Sequence, residues 1–511
     1  LVCKQAKEVN VEITLGMLKD DEKLALAKSR EIWHDVINAR RRGDRINATT
    51  GKQERYVECS HDFTLKWFCL NAQDAEEFVV ERYHVLLMDE AQDTQRPLLS
   101  WLLEHVHQFA VYLVGDTFQS IFAFTGAHDA IEMAITHPQA KLFRLTESFR
   151  FGSKIASACT ALLHGSFLLP RNIEIKGNDA RRGCGTVHAL SRDAIPQVAH
   201  ELVKSVFART GCRDIALLSR KNDPAMLAAI TLYKNGFFVR LAGHLAEYVE
   251  SVLEVLKKYK SDADIAQKQS DLFRHIGMLE KRQLVWRHHV LSGATPPRSS
   301  GYDEKGFVRG RLRLTEQEAF EEQIVVNTEG HLRETYNLFY GIHQQTKAKT
   351  VPANVVVVTV CTVHAAKGGE WDAVVVMDDF PELDLCVRAR IGTFTHDDYM
   401  QMQREKIGVQ HNNHDITHST LMDYFKTQDK TPLLQEIHLF YVAMTRAKMH
   451  LFVNAPAANV VNSIIPLETM ELSAHAMEIV ASRSSSKSTG TKRPSVGAGD
   501  GTEQRKKRTV A

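Results

Sequence analysis

The sequence predicts an α/β protein with more than one domain. Three observations lead there. At 511 residues and 44% apolar content the chain can bury several cores. Short apolar runs recur along it, several ending in polar or acidic residues. Helical stretches separate many of those runs, which is the alternation of mostly parallel sheets.

The elements follow in order. Residues 19–42 read as a helix, with Leu24, Ala27, Ile32, Val36 and Ile37 at roughly helical spacing. Tyr83–Met88 and Ala110–Gly115 read as buried strands, with a helix over Arg96–His105 between them. Further strands are expected at Ile215–Ser219, Phe237–Leu241, Val355–Val360, Ala373–Met377 and Met449–Val453, and a helix at Gln197–Phe207. Residues 245–350 are helix-rich, charged and short of strand signals, as an inserted helical subdomain would be. Residues 482–511 form a Ser/Gly/Lys tail too polar to pack, and are read as disordered.

Charged residues make up 25% of the chain and the formal net charge is +2. The basic tail supplies that excess, so the rest of the chain is mildly acidic, and any nucleic-acid groove must be lined locally. No run of about 18 apolar residues suggests a membrane span, and no signal peptide is visible. The eight cysteines lack zinc-ligand spacing and read as isolated thiols of a reducing compartment. His411, His414 and His418 lie in a polar stretch without cysteine support, and read as a solvated loop rather than a metal site.

Five blocks carry chemistry. Asp89-Glu90-Ala91-Gln92-Asp93 follows the first strand. ATP hydrolysis needs one carboxylate to hold Mg²⁺ and another to deprotonate the attacking water, and adjacent acids at a strand's carboxyl end can divide those tasks. A pair of helix-start acids is the alternative. Gly115–Ala127 (GDTFQSIFAFTGA) follows the second strand. Gln119 there can sense a terminal phosphate. Phe122 and Phe124, two apart, either make a stacking platform for bases, worth about 1–3 kcal/mol per base, or belong to the core. Leu145–Phe151 (LTESFRF) offers Arg150 as an arginine finger, or as a surface ion pair, and Phe149 as a stacking partner for adenine. Cys361–Asp372 (CTVHAAKGGEWD) places polar groups and paired glycines between two apolar runs, as a loop exposing backbone to phosphate or sugar would. His438–Lys448 (HLFYVAMTRAK) is an apolar helix with Thr445 and Arg446 at its end, either a functional arginine or a helix-terminal charge.

In this order, the blocks resemble motifs II, III, IV, V and VI of the superfamily-1A DNA helicases of the UvrD/Rep type, and within them the branch of eukaryotic F-box DNA helicases. LTESFRFGSKIA, IALLSRKN, TVHAAKGGEWDAVVVMDDF and LFYVAMTRAK carry the likeness, Ser60–Lys66 (SHDFTLK) resembles motif Ib, and the likeness runs from about residue 20 to 465. The fold it implies is tandem RecA-like P-loop NTPase domains with helical insertions, the first of them incomplete. It implies ATP and Mg²⁺ as cofactors, with Asp89 on the metal and Glu90 as catalytic base. Gln119 would couple the γ-phosphate to DNA, and Arg150 and Arg446 would contact phosphate. Phe149, Glu370, Gln92 and Asp116 would serve the nucleotide, with Phe149 on adenine and Glu370 on the ribose. Phe122, Phe124, His61, His364 and Lys367 would serve the DNA, the last two near it or near the interdomain cleft.

The resemblance divides the chain into a helical 1B remnant (1–57), the rest of domain 1A (58–146), a first part of domain 2A (147–245), a 2B-like insertion (246–350), a second part of 2A (351–465) and a tail (466–511). It implies a monomeric motor of 3′→5′ polarity on single-stranded DNA and DNA junctions, acting in recombination control and repair and against recombinase filaments. An RNA translocase is a further reading. Lys492-Arg493 and Arg505–Arg508 are spaced as a bipartite nuclear import signal, or form a polybasic tail that aids DNA contact.

Three departures stand out. Thr125 replaces an arginine in the third-motif block, and Gly369 replaces a leucine, expected to cost packing and add flexibility. No GxxxxGK[ST] loop occurs; Thr50-Gly51-Lys52-Gln53 is the only imitation, with Ile46 at the first glycine and Gln53 at the hydroxyl. With Leu1 in place of a methionine, the expectation is a chain that begins partway through its first domain and turns over little or no ATP. A non-catalytic DNA-binding or regulatory remnant is the other reading.

Overall fold

The computed structural model describes residues 82–471 except 124–126, 191–193, 265–330, 353, 394, 396, 399–400 and 402–430, together with Cys69 and Val79. The 19–42 helix, the 1–57 segment, His61, Phe124, Thr125, the three-histidine cluster, the Thr50–Gln53 imitation and the basic tail lie outside the described residues.

In chain order the main elements are β1 (Val85–Met88), α1 (Arg96–Glu104), β2 (Ala110–Leu113), α2 (Ala130–Ala134), α3 (Ser153–Gly165), β3 (Thr186–Leu190), α4 (Ala199–Thr210), β4 (Asp214–Ser219), α5 (Asn222–Lys234), β5 (Phe238–Leu241) and α6 (His244–Leu256). They continue with α7 (Leu332–Lys347), β6 (Val357–Thr362), α8 (Val363–Ala366), β7 (Trp371–Val376), α9 (Leu383–Ile391), α10 (Thr431–Met444), β8 (Ala447–Val453), α11 (Ala455–Asn462) and β9 (Glu468–Met470). This is the α/β alternation that the apolar runs predict. Two compact units emerge, one from Leu1–His188, Leu218–Arg220 and Cys361–Glu468, the other from Ala189–Leu217, Lys221–Val360 and Thr469–Ala511. All five motif blocks fall in the first unit.

β1 and β2 pair in parallel, Val85 with Ala110 through Met88 with Leu113. Pro97 opens α1, where its missing N–H costs nothing. Leu99, Trp101 and Leu102 of that helix are buried, with Leu86, Met88 and Val111 packed against the same clusters. The opposite face differs from the expectation of strands buried on both sides. Val85, Leu87 and Tyr112 are 51%, 75% and 58% exposed. Burial alternates along both strands because the described helices cover only one side of the pleat.

The larger sheet has seven strands in the order β9-β3-β8-β7-β4-β6-β5. Within it β7 pairs with β8, and β6 with β5, in parallel. Here β4, β6 and β7 are buried over most of their lengths, as strands covered on both faces require, while burial alternates along β5. In the first unit Val374, Val375, Leu451, Phe452 and Phe440 are fully buried; in the second Ile215, Leu217, Val239 and Val358 are. Asp129 caps α2 by accepting from the backbone N–H groups of Ile131 and Glu132. Gly211, in the left-handed region, ends α4. No described helix is long and apolar enough to cross a membrane.

Candidate nucleotide and nucleic-acid site

The site is built from the ends of β1, β2 and α10 and from the loops after β6 and before α3. β1 delivers Asp89 and Glu90. Glu90 sits at φ 51°, ψ 39°, the left-handed region that a residue with a Cβ rarely adopts. Its backbone N–H donates to Asp89 Oδ1 at 2.9 Å, and its side chain is 61% exposed. Gln92 is fully buried; its Nε2 donates to Glu90 Oε2 at 2.5 Å, and its Oε1 accepts from the Asp116 N–H at 3.1 Å. That approach depends on Gly115, where an added Cβ would come within 2.2 Å of Gln92 Oε1.

Asp116, after β2, is a branch point. Its Oδ1 accepts from the Phe118 N–H at 3.0 Å, while Oδ2 accepts from Gln119 Nε2 at 2.9 Å and from the Tyr441 hydroxyl at 3.1 Å. Gln119 Oε1 in turn accepts from Arg446 Nη2 at 3.1 Å. A continuous chain of hydrogen bonds thus runs from Glu90 through Gln92, Asp116 and Gln119 to Arg446. Phe118 packs edge-on against His438 and Tyr441, and His438 Nδ1 donates to the Ser120 carbonyl at 3.0 Å. Burial holds the His438 pKa below its ordinary value, so it is the neutral imidazole that sits in this seam.

Arg446 is 1% exposed and anchored by Nε to the Val442 carbonyl at 3.0 Å and by Nη2 to Thr445 Oγ1 at 2.9 Å. Burial, and then the charge of Arg150, depress its pKa to about 10. It stays protonated at neutral pH, but the two neighbouring cations disfavour each other, and an anion between them would relieve both. Arg150 reaches the same place from the loop before α3, donating from Nη1 to the Thr445 carbonyl at 3.5 Å and from Nε to Glu370 Oε2 at 3.4 Å. Phe149 is 56% exposed, leaving its ring free to stack on a planar ligand.

Lys367 makes the most crowded contact. Its ammonium donates to Asp93 Oδ2 and, at 3.0 Å, to the Gln119 carbonyl, and it lies 3.4 Å from Glu90 Oε2. It also sits 5.4 Å from the Phe122 ring centroid, a cation–π distance. His364 reaches the same ring, with centroids 5.9 Å apart. Burial, reinforced by Arg220, holds the His364 pKa low. The expectation for Lys367 and His364 is DNA or the cleft; what their side chains touch is the third-motif loop and, for Lys367, the acids.

The sequence reading assigns no role to two arginines that belong here. Arg182 donates from Nε to the Phe149 carbonyl at 3.4 Å and lies 3.6 Å from Glu370 Oε1, so Glu370 stands between Arg150 and Arg182. A basic pair before Gly183 looks like surface charge in one dimension. Only the short helix Asp179–Arg182, tied to the first residue of α3 by Asp179 Oδ1 accepting from the Ser153 N–H at 2.6 Å, brings it in. Arg220, inside the quoted IALLSRKN, binds Glu436 of α10 in a fork, Nε to Oε2 at 2.9 Å and Nη2 to Oε1 at 2.6 Å. Its backbone N–H also donates to Asp379.

Gly369 receives a local reason. A Cβ there would approach the Trp371 ring to 2.6 Å, so the missing leucine side chain is matched by an indole in the same space. Among the described residues no cluster of metal-ligating type occurs. Among the six described cysteines only Cys184 is exposed, the others being buried.

Comparisons with known proteins find helicase relatives. Residues 45–138 match the UvrD/REP helicase N-terminal domain, and residues 323–456 the UvrD-like helicase C-terminal domain. The chain is 22% identical over 396 residues to F-box DNA helicase 1 of Gallus gallus, covering 76% of this chain and 32% of that protein. It is 23% identical over 396 residues to the ATP-dependent DNA helicase UvrD2 of Mycobacterium tuberculosis, covering 75% and 48%. A shorter match of 99 residues, 32% identical, joins it to F-box DNA helicase protein 1 of Schizosaccharomyces pombe, covering 19% of this chain and 11% of that one. The chain therefore spans about a third to a half of the two longer-matched relatives.

Proposed function

We propose that this chain, which belongs to the UvrD-like DNA helicases, supplies the acid- and arginine-bearing part of a motor that moves 3′→5′ on single-stranded DNA at the expense of ATP. The observation that carries the reading is the hydrogen-bonded run from Glu90 to Arg446, with Arg150 beside its far end. Acids from one strand end and the arginines Arg150 and Arg446 would meet one polyphosphate from two sides.

The residues present fit ATP·Mg²⁺ in part. Asp89, an exposed carboxylate, suits a hard cation, and the arginine pair suits phosphate oxygens. Bound ATP and Mg²⁺ would supply the phosphoryl group and its charge neutralisation. Glu90 is the base that takes a proton from water, held by Gln92 and exposed enough to reach it. Gln119 links phosphate to the Phe122 loop, and Arg150 and Arg446 stabilise negative charge. Phe149 stacks on the base, Glu370 accepts from the ribose, and Gln92 and Asp116 hold the others in register. Phe122, Phe124, His61, His364 and Lys367 are assigned to the strand-binding side. Residues 58–146 form the first RecA-like lobe in this reading, and 147–465, with the 246–350 insertion, the second.

The 511 residues contain no GxxxxGK[ST]. Hydrolysis is accordingly proposed for a polypeptide that joins such a loop to them, and DNA binding for this chain itself. Likeness to the F-box helicase branch supports a nuclear role in recombination control and repair, on single strands and junctions and against recombinase filaments, by a monomer. The second reading is a DNA-binding or regulatory protein without turnover.

The test is ATP turnover, with and without oligo(dT), of these residues joined to a GxxxxGK[ST] loop. Single strands should stimulate it, and Glu90→Gln should lower it by about a hundredfold or more while nucleotide still binds. Turnover that survives the substitution refutes the base assignment. Stimulation by RNA alone would replace the substrate, and the absence of any turnover would select the remnant.

A further inference from the structure

Lys367 connects the two ends of the proposed machine in one side chain. It is only 10% exposed, and its ammonium donates to Asp93 Oδ2 and the Gln119 carbonyl and forms an ion pair with Glu90 Oε2. The same ammonium lies on the ring of Phe122, a residue proposed to stack on DNA bases. A base stacking on that ring competes with the ammonium for it. A positive charge 3.4 Å from Glu90, next to Asp89, also competes with the divalent cation that these acids would serve. The backbone beside Lys367 permits movement: Gly368 holds φ 83°, and nothing lies within 4 Å of where its Cβ would be. Asp93 keeps one carboxylate oxygen, Oδ1, buried and without a hydrogen-bond partner among the described residues, so the acid is not fully engaged by its present contacts.

We propose that Lys367 is a DNA-released latch: in the DNA-free chain its ammonium ties down Glu90 and Asp93, and a base arriving on Phe122 displaces it and frees the acids. The latch rests on the reading of Phe122 as a DNA contact, and it gives a physical route by which single-stranded DNA would switch on chemistry at Glu90. Withdrawal of the ammonium uncovers the Glu90 carboxylate and opens room for a cation, with no change required elsewhere in the hydrogen-bonded run.

Zero-length carbodiimide crosslinking of the wild-type chain tests it, because the reagent joins an amine to a carboxylate only where they touch. Mass spectrometry should find Lys367 joined to Asp93 or Glu90 in the free chain, and saturating oligo(dT) should lower that yield about tenfold. The pair Lys448–Asp372, 2.7 Å apart, serves as the internal standard and should crosslink equally in both samples. Failure to form the Lys367 crosslink without DNA overturns the latch. So does an unchanged yield when fluorescence anisotropy shows the oligonucleotide bound, and that result leaves the DNA reading standing. An oligonucleotide that does not bind at all removes the reading on which the latch depends, and the latch with it.

Discussion

The β1/β2 pair and the seven-stranded sheet are built from the same kind of sequence and end in different states. YHVLLM and AVYLVG are as apolar as IALLS and AVVVM. Yet Leu87 is 75% exposed while Leu217 and Val375 are fully buried. The acids Asp89 and Glu90 grow from the half-covered pair, whereas Arg446 directly follows α10, whose residues 433–444 are buried or half-buried. The difference teaches that an apolar run reports a capacity for burial, and that neighbours decide whether the capacity is used. It also divides the labour of the site. The acid end is open and held by hydrogen bonds between loops, whereas the arginine end is set in a packed core.

Substitutions can sharpen that contrast, beginning with the largest effect. Leu217→Ala, in the covered sheet, should cost about 2–5 kcal/mol in denaturant unfolding, because the cavity it leaves has packed walls. A loss below about 1 kcal/mol would mean that the sheet is less tightly packed than its burial indicates. Arg220→Ala strips Glu436 of its fork. With side chains 29% and 15% exposed, solvent screens part of the loss, and about 1–3 kcal/mol is expected. Retention of full stability in that variant would show the α10 contact to be incidental.

Acid should loosen the seam where α10 meets the loop after β2. The buried His438 has a pKa below the ordinary 6.5, so the unfolded chain binds its proton first. Its contribution is complete above that value and is lost as pH falls below it toward the lowered folded value. His364 and His450 act in the same direction. His438→Gln should therefore flatten, without abolishing, the fall of the unfolding midpoint between about pH 7 and about pH 5. An identical slope in wild type and variant would take His438 out of the account. Leu87→Ser should change stability least, within about 0.5 kcal/mol, and should make the chain more soluble. A large loss there would show that the bare face of the β1/β2 pair is covered in solution.

Much of the site was legible because its chemistry is local. Acids directly after an apolar run, glycine and glutamine after the next, and an arginine at the end of an apolar helix occupy neighbouring positions, and they keep their relations once the strands and helix form. What could not be read are relations across hundreds of residues. Nothing near Arg182 announces Glu370, and nothing near Lys367 announces Asp93. Gly369 reads as a lost leucine until Trp371 is seen against it. The bare face of β1 and β2 was likewise hidden, since period and polarity describe a strand and are silent about the layer above it.

By itself, then, the order of residues determined the α/β alternation, the five blocks and the chemical type of each functional side chain, because backbone periodicity and side-chain chemistry are properties of short segments. Tertiary structure decided which faces are covered, which cation meets which acid, and that Arg446 lies beside Arg150 with a pKa depressed to about 10. Those outcomes depend on desolvation and on distances between segments far apart in the chain, and both come into being only when the segments pack.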